Sequence, residues 1–270
     1  MGKLPPHIGV SSAAWGRWYL PQALDRAADY AGLIEVYSGG RHELSSAQNR
    51  AAVRESGLRV TVHGPYGGLE VGGLRKRARR EAIDTHRRHL EWAADAGAFL
   101  YVAHPDVAPK RYTEGRDERV LAALAASFRD FEELQREVGV PIAVENMPAL
   151  DHSHLTLRSH LACSLPTPGD LKLGELGFCL DAGHAALCDT LDDFLADPPS
   201  RLVHVHLHDN RGPEERGDPH RALGDGMVDV AAVLRCAREH DASVIIEMPD
   251  EQRLVESIEY LEREKLVEQD

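Results

Sequence analysis

Six short β-type runs in this chain end on a side chain that can bind a metal ion. They close on His63 (followed by Gly64-Pro65-Tyr66), His104 (followed by Pro105), Glu145 (followed by Asn146), Asp181 (followed by Ala182-Gly183-His184), His206 (followed by Leu207-His208-Asp209) and Glu247. A lone histidine at a strand end is usually a satisfied polar residue, and a lone carboxylate is often a helix cap or an arginine partner. Six in succession make independent accident a poor explanation. Brought together, such groups are costly to bury unless a cation offsets their charge and lost hydration. Mixed imidazole and carboxylate ligands suit Zn, Mn, Fe or Co better than Ca or Mg alone. The later loop Asp218-Pro219-His220-Arg221-Ala222-Leu223-Gly224-Asp225-Gly226 reads by itself as a turn with glycines for positive φ. Beside the strand ends, its Asp218 and His220 become candidate further ligands.

The elements that must position these residues alternate strand and helix. Strands are expected at Ile8–Ser12, Leu33–Ser38, Arg59–His63, Phe99–His104, Pro141–Glu145, Gly177–Asp181, Leu202–His206 and Ser243–Glu247. Several are apolar without alternation, as strands of a parallel sheet covered on both faces are. Helices are expected at Gln22–Ala31, Ser45–Ser56, Arg75–Ala96, Arg116–Val138, Leu191–Ala196, Val228–His240 and Gln252–Glu264, with Gly32, Gly57, Gly97 and Gly139 as stops. Asp151–Glu175 is less regular and reads as a short helix and loop. Eight such repeats predict a (β/α)8 TIM barrel, which needs about 250 residues and builds its site at the C-terminal strand ends. An open doubly wound sheet is the alternative, but no G-x-G-x-x-G follows the first strand. No linker or domain boundary interrupts residues 1–270, so one domain is expected.

Bulk properties narrow the partners. The net charge of −13 disfavours nucleic acid and membrane surfaces at long range, although a local basic groove can survive on an acidic protein. Arg75-Lys76-Arg77-Ala78-Arg79-Arg80 is such a basic run, and reads as the solvated face of an outer helix. No apolar run reaches the roughly 18 residues of a membrane span, and the N-terminus has no apolar leader region. Cys163, Cys179, Cys188 and Cys236 form no C-x-x-C pair and are expected to be reduced thiols of a cytoplasmic protein. Homo-oligomerisation is left open.

Taken in order, His63-Gly64-Pro65-Tyr66, Ala103-His104-Pro105, Glu145-Asn146-Met147-Pro148, Leu180-Asp181-Ala182-Gly183-His184, His204-Val205-His206-Leu207-His208-Asp209-Asn210, Asp218-Pro219-His220, Leu223-Gly224-Asp225-Gly226 and Glu247 resemble the xylose isomerase-like TIM barrels. These include sugar phosphate isomerases and epimerases, and endonuclease IV. The resemblance runs from Ile8 to about Leu261. Its isomerase branch implies one metal on Glu145, Asp181, His206 and Glu247. There the two glutamates also move the substrate proton, the metal polarises the carbonyl, and His184 touches a small sugar-like substrate. Its endonuclease IV branch implies three metals on His63, His104, Glu145, Asp181, His184, His206, Asp218, His220 and Glu247, serving phosphodiester hydrolysis. The cofactor expected is therefore a divalent transition metal, Zn or Mn foremost, as one to three ions. The short second-strand loop Ser38-Gly39-Gly40-Arg41-His42, the acidic stretch between strands six and seven and the negative charge favour the isomerase branch. A non-catalytic metal-containing barrel is the third alternative. Tyr66, Arg211 and Arg221 are candidate substrate contacts, as aromatic platform and anion handles. Trp15, Tyr37 and Arg41 are weaker candidates. Gly67-Gly68 and Gly72-Gly73 suggest either a lid or a flexible turn.

Overall fold

The computed structural model describes residues 2–65, 68–105, 108–109, 115–148, 157–158 and 173–267. Eight parallel strands close into a barrel: β1 (Ile8–Ser11), β2 (Leu33–Tyr37), β3 (Arg59–His63), β4 (Leu100–Ala103), β5 (Ile142–Glu145), β6 (Gly177–Asp181), β7 (Leu202–Leu207) and β8 (Ser243–Ile246). Their order round the barrel is that of the sequence, with β8 closing on β1, so the fold is a TIM barrel. The expected strands are all present, each within a residue of its expected ends. A separate two-stranded antiparallel ribbon joins 108–109 to 157–158.

Helices sheath the barrel because each carries one apolar stripe. In α1 (Leu20–Ala27) the buried residues Leu20, Ala23, Leu24 and Ala27 fall at i, i+3, i+4 and i+7. Leu254, Ser257, Ile258 and Leu261 repeat that spacing in α8 (Glu251–Arg263). Between them lie α2 (Ala47–Glu55), α3 (Lys76–Asp95), α4 (Asp117–Val138), α5 (Ala182–Leu187), α6 (Leu191–Ala196) and α7 (Val230–Glu239). Side chains of Ser46, Asp229 and Asp250 cap α2, α7 and α8, each contributing about 1 kcal/mol. Gly139 ends α4 in the left-handed region at φ 83°, and Gly57 and Gly97 are left-handed too. Gly32 has no positive φ. Of the irregular stretch 151–175, only residues 157–158 and 173–175 are described.

Three expectations change. Cys188 is disulfide-bonded, so the thiols are not all reduced. Cys179 and Cys236 are free and buried, and Cys163 lies outside the described residues. Trp15, a candidate substrate contact, is instead buried and stacked on Tyr30 with ring centroids 6.0 Å apart. The short helix α5, directly after β6, was not expected. The basic run does open the outer helix α3, where Arg77 pairs with Glu81 and Arg75 with Glu70. Among the described residues no helix is long and apolar enough to cross a membrane.

Candidate metal centre

Strand register brings the metal-binding side chains to one level. Asp181 of β6 pairs with His206 of β7, and Tyr37 of β2 pairs with His63 of β3. His104 and Glu247 sit just past the ends of β4 and β8. Asp181 is also the N-cap of α5: its Oδ1 accepts the His184 amide at 2.6 Å, leaving Oδ2 near His184 Nδ1 at 3.5 Å and His206 Nδ1 at 3.9 Å. Asn146 locks β5 to β6 by donating to the Asp181 carbonyl at 2.8 Å while its Oδ1 accepts the Asp181 amide at 2.7 Å.

All nine candidate ligands recur in five overlapping groups whose donor atoms lie within 4.8 Å of one another, and their ion-pair contacts fall into three clusters. In the first, Glu145 Oε2 lies 3.1 Å from His104 Nε2 and 3.5 Å from His63 Nε2. The second surrounds His206 Nδ1, with Glu145 Oε1 and Glu247 Oε2 each at 3.5 Å and Asp181 Oδ2 at 3.9 Å. The third centres on Asp218 Oδ2, which lies 3.0 Å from His184 Nε2 and 2.9 Å from His220 Nε2. The loop carrying Asp218 and His220 is held by Asp209, whose carboxylate accepts the amides of Asn210, Gly224, Gly226 and Val228 at 2.8–3.1 Å. His220 sits in the left-handed region at φ 43°, a strained backbone for a non-glycine residue.

The tautomers test whether these residues fit a cation. Nδ1 of His63, His184 and His220 faces the carbonyl of Gly64, Asn146 and Glu247 at 2.8, 2.9 and 2.9 Å. A carbonyl can only accept, so each Nδ1 donates, and in the neutral ring Nε2 carries a lone pair. Those lone pairs point at carboxylate oxygens of Glu145 and Asp218. Lone pair facing lone pair is repulsive unless a proton or a metal ion lies between. Fixing the ring through its other nitrogen is how proteins prepare histidine ligands. Among the described residues, buried Glu145 Oε2, Asp181 Oδ2 and His206 Nδ1 also have no hydrogen-bond partner. The set therefore fits a metal.

Electrostatics agrees. Burial pulls His184 down, but Asp181 and Asp218 outweigh it and hold the ring well above the usual histidine value. Burial likewise pulls His220 down, and Asp218 carries it up to about 9. Glu145 is pushed up by burial, yet His104 and His206 hold it well below the carboxylate range. The mouth thus draws positive charge to itself.

The candidate substrate contacts fare differently. Arg221 is committed to Glu215 by two bonds of 2.8 and 3.0 Å, so its guanidinium is not a free anion handle. Arg211 is exposed in the same loop. Arg41 donates to the Arg17 carbonyl at 2.7 Å and lies over the Tyr19 ring. Tyr37 meets His63 edge-on at 5.9 Å between centroids. Tyr66 and Gly67 lie outside the described residues.

Sequence reasoning missed three groups. Glu35, midway along β2, is fully buried below the mouth, accepting from Thr61 Oγ1 at 3.0 Å and from His204 Nε2 at 3.1 Å. Its other oxygen stands 2.9 Å from His206 Nε2, off the line of a hydrogen bond. Its signal was a carboxylate inside an otherwise apolar strand. His204 donates to Glu35 and accepts from Ser243 Oγ at 2.7 Å, so both its nitrogens are used. His208 joins the third group, and the period-two spacing His204, His206, His208 marks it as sharing their face.

The chain belongs to the xylose isomerase-like TIM barrel family, which it matches over residues 24–264. An uncharacterized protein of Methanocaldococcus jannaschii, MJ1614, is 29% identical over 230 residues, covering 85% of this chain and 86% of its own length. A D-tagatose 3-epimerase-like protein superposes with a TM-score of 0.77 at 24% identity, over 95% of this chain and 96% of that one. Endonuclease IV from Thermus thermophilus superposes with a TM-score of 0.63 at 21% identity, over 96% of this chain and all of that one. At these identities the two structures establish a shared fold.

Proposed function

We propose that the chain is a metal-dependent isomerase or epimerase of a small sugar-like substrate, working as one barrel domain over residues 1–270. The observation that carries this reading is the convergence of Glu145, Asp181 and Glu247 on His206 Nδ1, within 3.5–3.9 Å. Those four residues would hold the catalytic ion, and His63, His104, His184, Asp218 and His220 would hold up to two more. A bound transition metal, Zn or Mn by this donor set, supplies Lewis-acid polarisation of a substrate carbonyl.

The chain's own work is proton transfer. Glu145 and Glu247 approach the same His206 nitrogen, so a substrate held there meets both carboxylates. One removes the proton from carbon beside the carbonyl, and the other returns a proton to the neighbouring carbon or the opposite face. Glu145 is buried and held by histidines, while the Glu247 side chain keeps 17% of its surface open to the mouth. Glu247 is therefore the better placed to exchange its proton with solvent. His184 borders the same space. Solvent-deuterium incorporation into ketoses and sugar phosphates tests the reading. Glu145→Gln and Glu247→Gln should each abolish exchange, and normal turnover in both variants would refute it.

A second reading is endonuclease IV-like phosphodiester hydrolysis, favoured by the assembly of all nine ligands of the three-metal pattern. Against it, Arg41 and Arg221 are committed to partners within the protein, and the chain is strongly acidic. Nicking of an abasic-site duplex at a rate typical of a dedicated repair enzyme would reverse the order of the two readings.

A further inference from the structure

The histidines of the mouth are not all turned the same way. His63, His184 and His220 each donate from Nδ1 to a backbone carbonyl and present Nε2 to the carboxylates. His206 is reversed: Nδ1 faces Glu145, Asp181 and Glu247, and Nε2 lies 2.9 Å from Glu35 Oε1 in the layer below. Nδ1 of a neutral imidazole offers a lone pair only when the proton sits on Nε2. Among the described residues neither His206 Nε2 nor Glu35 Oε1 has a hydrogen-bond partner, and both atoms are buried. Their separation is that of a hydrogen bond, though out of line for one. Ring torsions of histidine are broad, so a turn of the ring closes the line. A buried N–H and a buried carboxylate oxygen are each costly alone and satisfy each other.

The lower layer holds Glu35 ready for this. Strand pairing sets Glu35 beside Thr61 and Ser243 beside His204. Thr61 Oγ1 and His204 Nε2 both donate to Glu35 Oε2, at 3.0 and 3.1 Å. Two donors on one oxygen leave the other turned to His206. The geometry points to Glu35 as a positioning residue that keeps the His206 proton on Nε2 and so presents the Nδ1 lone pair to the ion held with Glu145, Asp181 and Glu247. Glu35 touches no reacting atom; it acts through His206, and its carboxylate also makes the imidazole a stronger ligand. This inference rests on the reading of those four residues as the holders of the catalytic ion, and deepens it by naming what selects the ligand atom. It also assigns a consequence to Glu35→Gln. The amide oxygen goes to the two donors, so the NH2 faces His206 Nε2 and calls for a lone pair there. The ring proton then moves to Nδ1, into the place of the ion.

The test uses full-length protein, isotope-labelled in its histidine ring nitrogens, stripped with a chelator and reloaded with Zn(II). Affinities are measured by chelator competition and protonation of the rings by NMR. The His206 resonances, assigned by their loss in His206→Asn, should show a zinc-bound Nδ1 and a protonated Nε2 whose proton is shifted downfield by a carboxylate. Glu35→Gln should weaken one zinc equivalent by about 10–100-fold and lose that downfield proton, leaving other equivalents unchanged. Thr61→Val, which disturbs the same layer without touching the pair, should keep both. Unchanged affinity in Glu35→Gln would overturn the inference while leaving the metal reading intact. So would weakening of all equivalents alike, or an equal loss in Thr61→Val, since either marks a merely structural role. Wild type that binds no ion would overturn both. If Glu35→Gln fails to fold, the wild-type spectrum decides alone, because a His206 Nε2 without that proton overturns the positioning role.

Discussion

The mouth of the barrel and the layer directly beneath it are built from the same residue types, histidine and carboxylate, but they differ in how these are satisfied. Below, His204 uses both nitrogens, on Glu35 and Ser243, and Thr61 donates to Glu35, which leaves Glu35 Oε1 open toward His206 Nε2. Above, His206 Nδ1, Asp181 Oδ2 and Glu145 Oε2 have no hydrogen-bond partner among the described residues. A satisfied polar network specifies a core, whereas buried groups left open demand a reason. The lower layer is a foundation and the upper one a receptacle for cations. Glu35 belongs to both, since its second oxygen faces His206 Nε2 from below.

If that contrast holds, substitutions above should cost function and substitutions below should cost stability. The largest effect is expected for Glu145→Gln, with turnover falling by about 10²–10⁴-fold and little change in thermal midpoint, measured by exchange assay and calorimetry. Next, Glu35→Ala strands His204 and Thr61 and should cost about 3–5 kcal/mol in denaturant unfolding. Glu35→Gln, which keeps the shape, should instead weaken metal binding by about 10–100-fold through His206. A Glu35→Ala protein of wild-type stability would break the comparison.

Smaller effects probe the packing behind the mouth. A Cβ on Gly64 would run into the Tyr101 hydroxyl, which lies 2.9 Å from His86 Nδ1. Gly64→Ala should therefore cost about 1–3 kcal/mol by overpacking. Burial drives His86 down to about 3, helped by the nearby His89. The unfolded chain protonates this histidine near pH 6.5 and the folded chain does not. The stability it supports is thus present above pH 6.5 and lost as pH falls toward about 3. The expected slope is up to about 1.4 kcal/mol per pH unit. His86→Gln should flatten the acid limb of the stability profile by up to one proton, and an unchanged limb would show that His86 is not held neutral.

Much of the fold was legible because each strand is short, apolar and bounded by helix stops. The strand ends were legible because metal-binding types recur there. Glu35 was not, because a carboxylate inside a buried strand is unfavourable until its partners His204 and Thr61, far apart in sequence, are brought beside it. His208 was passed over because it lies two residues beyond a strand end already credited with a ligand, and only the three-dimensional structure brings it beside Asp181, Asp218 and His220. The pairing of Arg221 with Glu215 was not legible either, because it depends on the loop's turn geometry, which spacing does not reveal. The disulfide at Cys188 likewise follows from approach in space rather than from any motif.

The most direct measurement of the central claim is an anomalous-difference map at the barrel mouth, from crystals of protein loaded with Zn(II) or Mn(II). The account predicts an ion bound by Glu145, Asp181, His206 and Glu247. A mouth with no anomalous peak within reach of His206 Nδ1, under saturating metal, would contradict it.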